Sequence, residues 1–210
     1  MSVFFTADQH FGHVGIIKFC QRPFEFSSEG LAEMNEHMIK CWNERVGYGD
    51  EVYVLGDFSF GGRPFIRSIL GRLRGRKYLC LGSHDDGSKN LYEKFPGDDT
   101  YPQEERFERV ERDYILTLDR SGLPAARMFL SHYCHKTWPE SHYGVWHLFG
   151  HSHGALDPYA EHEGKLLDVG VDTHPEGFGY PYSLQEVIDI MATRPRNFND
   201  VGIHHTPIDH

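Results

Sequence analysis

The chain predicts an α/β fold in which two packed sheets are covered by helices. Three observations predict it. Short apolar runs alternate with helical spacing through the first half of the chain. After Tyr101 the pattern turns strand-rich, with connections too short for separate domains. Most of the apolar runs end on Asp, Gly or His, and side chains at the ends of adjacent strands converge on one rim of a sheet.

Residues 2–7 read as a short buried strand that leads straight into Asp8. Residues 31–46 have helical spacing, with Leu31, Met34, Met38 and Cys41 on one core-facing stripe. Residues 51–55 form the second strand, followed by Gly56-Asp57. Pro64 opens a helix that runs through Leu73, because proline suits the first helical turn. Residues 77–81 form the third strand. The basic cluster Arg72, Arg74, Arg76 and Lys77 between them reads as a solvated connection that favours the helix C-terminus, in preference to a nucleic-acid patch. Residues 107–118 look like a pair of strands, and Asp119-Arg120-Ser121-Gly122 makes a turn. Strands over 127–130 and 145–149 lead into His132 and His151. A late strand covers 165–171, and a helix over 183–191 takes Ser183 as its N-cap. One domain therefore spans 1–193. A polar tail covers 194–210, whose His204, His205 and His210 are expected to be mobile and not catalytic.

A hydrophobic content of 39% and an aromatic content of 14% exclude a disordered chain. The net charge of −10 argues against a broad surface that tracks nucleic-acid phosphates, although bound cations would add charge that this count omits. The N-terminus does not read as a signal peptide, and no run approaches the length of a membrane span. Cys20, Cys41, Cys80 and Cys134 are far apart and form no metal-type pair; with Cys80 inside an apolar run, a cytoplasmic setting is expected. The 15 histidines are informative through their positions.

Asp8-Gln9-His10 puts a carboxylate and an imidazole on one side of an extended stretch, where they can share a cation. Alone, the triplet is a weak signal and reads more readily as an Asx-turn beside an exposed His. Gly56 permits a tight turn that aims Asp57 at the rim, and a carboxylate with two oxygens can bridge two cations. Gly150-His151-Ser152-His153-Gly154 is the sharpest piece: two histidines fenced by glycines after an apolar strand are hard to explain by packing. His132 by itself reads as a hydrogen-bonded core histidine.

Taken in order, these pieces resemble the calcineurin-like metallophosphoesterases, from Asp8 to His153, with Asp168-Val169-Gly170-Val171-Asp172 and the helix start at Ser183 extending the likeness. The resemblance implies a mixed two-sheet β-sandwich flanked by helices, layered αββα. It implies two divalent metal ions, one held by Asp8, His10, Asp57 and His153, the other by Asp57, Ser83, His132 and His151. His84 matches the family's catalytic histidine. Mixed imidazole and carboxylate ligands favour Mn first, with Fe, Zn or Ni as alternatives, over Mg. The implied activity is hydrolysis of small or nucleotide-type phosphodiesters, with a cation pair activating water and His84 protonating the leaving oxygen.

The sequence departs from the family at two places. Ser83 stands where the family has Asn, a better metal donor. Phe60 stands where protein phosphatases carry an Asp that partners the catalytic histidine; Asp85 is the candidate replacement. His13 is read as reaching substrate or supporting a ligand, and Arg22 and Arg63 as candidates for phosphate oxygens, each with a plain surface charge as the alternative. Two other readings stand beside the hydrolase: a nuclease of the same fold, and a metal-binding scaffold whose turnover is impaired by Ser83.

Overall fold

The computed structural model describes residues 1–85, 102–119 and 125–201. In chain order the elements are β1 (Val3–Thr6), α1 (Val14–Phe19), α2 (Ser28–Arg45), β2 (Glu51–Leu55), α3 (Arg63–Leu70), β3 (Arg76–Cys80), β4 (Arg109–Glu111) and β5 (Asp113–Leu118). The second half continues with β6 (Ala126–Ser131), β7 (Trp146–Phe149), α4 (Asp157–Glu163), β8 (Leu166–Asp168), β9 (Tyr182–Ser183) and α5 (Leu184–Thr193). They build two mixed sheets flanked by helices. One has the order β4-β3-β2-β1-β9, the other β5-β6-β7-β8. β1 to β4 are parallel and β9 is antiparallel, while β6 to β8 are parallel and β5 is antiparallel.

Strand alternation sorts the core into layers. In β1 and β2, Phe4, Val52 and Val54 face the helices, where they meet Met34, Met38, Ile39 and Trp42 of α2 and Ile66 and Ile69 of α3. Val3, Phe5, Tyr53 and Leu55 point the other way, onto Met128, Leu130, Leu148 and Leu167 of the second sheet. A smaller cluster, Phe129, Phe149, Leu166 and Ala160, closes the outer face against α4. Because β1, β2, β3, β6 and β7 all run parallel to a neighbour, their C-terminal ends can deliver loops to a common rim.

The expected strands and the three expected helices form, with shifted ends. α2 begins at Ser28, because the Ser27 hydroxyl accepts from the Gly30 N–H at 3.0 Å. α3 stops at Leu70, short of Leu73, with Gly71 as its C-cap. Ser183 caps α5 within a full capping box with Glu186. Two short helices, α1 and α4, and the two-residue β9 are additions to the sequence reading.

One expectation needs correction. Lys77 is not part of a solvated connection: it is buried, and its ammonium donates to the carbonyls of Leu70 (3.1 Å), Leu73 (2.9 Å) and Glu104 (2.9 Å). The alternation of β3 turns it under the end of α3, and burial lowers it to about 8. The polar stretch after 193 is tied to the domain at its start. Buried Asn197 donates to the carbonyls of Ser141 and Val145 and accepts from the Lys165 N–H. The turn expected at 119–122 extends beyond the described residues, and His204, His205 and His210 lie outside them. Among the described residues no helix is long and apolar enough to cross a membrane.

Candidate metal centre

The site begins where β1 and β2 stop being regular. Their pairing continues past the strand ends through Asp8 N–H to Gly56 O and His10 N–H to Asp57 O, both at 3.0 Å. This sets Asp8, His10 and Asp57 beside one another. Asp8 and His10 do not face alike because the chain is extended, as the sequence suggested. Both have left-handed backbone, with φ of 60° and 53°. Asp57 (53°), His151 (68°) and His153 (47°) share that conformation. Non-glycine residues rarely adopt it, and such strain gathers at functional sites.

Two ligand triads result. Ligand atoms of Asp8, His10 and His153 lie within 4.8 Å of one another, and so do those of Asp57, His132 and His151. The Asp57 carboxylate joins them. Its Oδ2 is 3.8 Å from His10 Nε2, 3.5 Å from His132 Nε2 and 3.9 Å from His84 Nε2. Close backbone approach is part of the construction. A Cβ on Gly150 would stand 2.5 Å from the Ala7 Cβ and 2.7 Å from Asp8 Oδ2, so only glycine lets the β7 loop deliver its two histidines here.

The hydrogen bonds aim the ligand atoms inward. His132 Nδ1 donates to Leu55 O at 2.8 Å, which leaves Nε2 turned to Asp57. His153 Nδ1 donates to Asp172 Oδ2 at 2.6 Å. Asp8 Oδ2 accepts from the His151 N–H at 2.7 Å, and Asp57 Oδ1 from the His84 N–H at 2.8 Å. Carboxylate-oriented imidazoles of this kind are characteristic of metal ligands.

The electrostatics suit cations. Burial pushes Asp8 up to about 7 and His10 down to about 3. Burial alone would raise Asp57, yet the His132 imidazole 3.5 Å away, with the His84 N–H and the His10 ring, holds it below the usual carboxylate range. Burial would likewise lower His153, but Asp172 raises it to about 10. Buried Asp8 Oδ1, His10 Nδ1 and Nε2, and His132 Nε2 have no hydrogen-bond partner. Orphaned polar atoms are costly in an interior. Here all four belong to triad residues, and divalent cations would satisfy the donor set, so the residues fit the implied ions.

The other sequence candidates separate clearly. Ser83 and His84 are exposed at the same opening, and the Ser83 hydroxyl donates to Asp57 Oδ2 at 3.0 Å. His13 stands beside His10, with ring centroids 5.8 Å apart. Arg63 is the first residue of α3 and half-buried. Arg22 is not a phosphate contact. It is buried and fully engaged, with Nε and Nη2 each 2.9 Å from the Asp172 carboxylate and further donation to Asp8 O (2.6 Å) and Gln9 O (2.9 Å). Asp85 does not partner His84. It points inward, and Oδ2 accepts from the Asp57 N–H (2.8 Å) and the Gly82 N–H (2.9 Å), fixing the Asp57 loop to the β3 loop; burial raises it to about 6.

Asp172 and Asp168 are functional positions that sequence reading left without a role. Asp172 orients His153. Buried Asp168 accepts from Ser152 Oγ (2.5 Å) and the Gly154 N–H (3.2 Å), holding the histidine loop from beneath. Cys20 also lies against His153 and Asp172, within 4.8 Å, although its spacing gives it no metal-type partner in sequence.

No family profile matches the chain. A "Gene 66 protein" of Mycobacterium phage D29 is 28% identical over 189 residues, covering 81% of this chain and 88% of the phage protein. An uncharacterized protein of Methanocaldococcus jannaschii is 39% identical over 85 residues, 40% of this chain and 46% of its own, so the match spans less than half of that relative. The crystal structure of a protein of unknown function from Aquifex aeolicus superposes with a TM-score of 0.60 over 90% of this chain and 98% of its own, at 21% identity. At that identity the likeness establishes a shared α/β fold with two mixed sheets.

Proposed function

We propose that this chain is a metal-dependent phosphoesterase of the calcineurin-like kind, acting on small or nucleotide-type phosphodiesters. The observation that carries the proposal is the pair of triads meeting at Asp57, with ligand atoms buried and unsatisfied. Asp8, His10, Asp57 and His153 would hold one divalent cation; Asp57, His132, His151 and Ser83 would hold the other, with Mn the first expectation. Such a pair supplies Lewis acidity toward a phosphoryl oxygen and an activated water. The chain supplies the rest. Left-handed loops fix the carboxylates, Asp172 and the Leu55 carbonyl fix the imidazoles, and the exposed ring of His84, 3.9 Å from the shared Asp57 oxygen, would give the leaving oxygen its proton. All four cysteines are free, in keeping with the proposed cytoplasmic setting.

The test is hydrolysis of a chromogenic phosphodiester with added Mn²⁺ by the protein and its His84→Ala and Asp57→Ala forms. Equal rates in all three would end the assignment. A second reading, a metal-binding scaffold of low turnover, is favoured by one contact: Ser83 donates to the shared carboxylate oxygen where a ligand donor is wanted. It predicts one tightly held ion and no turnover, with Ser83→Asn restoring a second ion on metal analysis.

A further inference from the structure

The centre opens beside aromatic rings that remain in water. Phe60 is 42% exposed. Single exposed apolar residues are ordinary, but Phe60 is held unusually firmly for one. Its N–H donates to Phe11 O at 2.9 Å, and the following Gly61 N–H donates to Ser59 Oγ at 3.0 Å. Its ring lies flat on His13, with centroids 4.0 Å apart and planes 15° off parallel. The same ring is 4.5 Å from the His84 ring and 5.5 Å from the His10 ring. His84 is itself 49% exposed at the side chain. At the other triad, Tyr133 is 46% exposed and its ring is 4.8 Å from His151 and 4.9 Å from His132.

A flat apolar face fixed in advance, next to the residue placed to protonate a leaving group, loses little entropy when a second ring covers it. Aromatic platforms of this kind accept any base, because every base has a π-face. We propose that Phe60, backed by His13, is a stacking platform for a planar ring carried by the substrate, and that the substrate is a nucleoside phosphoester of one or two units. This rests on the phosphoesterase reading for the place of the phosphate. The net charge of −10 argues against a broad basic surface for a longer polymer.

The test compares ligands that differ only in the base. With Mn²⁺ present, calorimetry is run with adenosine monophosphate and with ribose 5-phosphate, and kcat/KM is measured for a dinucleotide and its abasic counterpart. The base is expected to improve both binding and kcat/KM roughly 10-fold. Phe60→Ala should bring both ratios towards one, and Phe60→Trp should restore them. Equal affinity for the two monophosphates, or ratios unmoved by Phe60→Ala with circular dichroism unchanged, would overturn the platform. If neither diester is turned over, the phosphoesterase reading fails on its own, and the calorimetric comparison alone decides whether the base is recognised.

Discussion

Replacing Asp8 by Asn should stabilise the metal-free protein while weakening its response to metal. Asp8 is fully buried, and one oxygen, Oδ1, has no hydrogen-bond partner. Burial raises its folded value from 3.8 to about 7. A carboxyl raised on folding binds a proton in the native state that the unfolded chain has already lost, so the penalty is absent below about pH 4 and grows up to pH 7. Across that interval the difference is worth roughly 4 kcal/mol. An Asn side chain removes the charge and its carbonyl can still accept the His151 N–H, now 2.7 Å from Oδ2. Its amide hydrogens must find partners, so we expect about half the gain, ~2 kcal/mol, or roughly 4–8 °C for a chain of this size. The assay is thermal unfolding at pH 8 with chelator and with Mn²⁺. Wild type should gain about 2.7 kcal/mol per site at a hundredfold excess over Kd and overtake the variant, which should gain less. At pH 5 in chelator the gap between the two proteins should narrow. An Asp8→Asn protein that is less stable than wild type in chelator at pH 8 would show that Asp8 is not a destabilising buried charge, and one that responds equally to Mn²⁺ would show that it is not a metal ligand.

Further outcomes follow from other contacts. Asp172→Asn weakens the carboxylate that orients His153 and should lower Mn²⁺ affinity about 10–100-fold, measured by metal titration. His147 is buried and held down to about 3, so the unfolded chain takes up a proton below pH 6.5 that the native state refuses. Metal-free wild type should therefore lose about 2 kcal/mol from this group between pH 7 and pH 5, and denaturant unfolding of His147→Gln should lack that part of the slope. Gly150→Ala forces a Cβ to 2.5 Å from Ala7, so unfolding should show a loss of about 1–3 kcal/mol together with weaker Mn²⁺ binding.

The candidate ligand set is legible because each member stands just beyond an apolar run, and strand ends in parallel sheets share an edge. Asp8, Asp57, His132 and the His151/His153 doublet all obey that rule. The supporting residues are not legible for an equally physical reason. Arg22 and Asp172 are 150 residues apart, and neither neighbourhood differs from that of a surface charge. Lys77 sits among arginines in sequence, and only the two-residue alternation of β3 decides that it alone turns inward. Asp85 shows how adjacency misleads, since its carboxylate points away from His84 and into the backbone of the neighbouring loop. The strand ends also shift the conformational reading: the left-handed backbone at Asp8 and His10 follows from the contact with the Asp57 loop, which no local propensity encodes.

The Arg22–Asp172 clamp has a consequence for biosynthesis. One half of it emerges early from the ribosome and the other only when most of the chain has been made. The guanidinium that braces the Asp8 and Gln9 carbonyls has no carboxylate to grip until then. Ion capture should thus be a late event, and a nascent or prematurely terminated chain ending before Asp172 should leave the ribosome unable to retain metal.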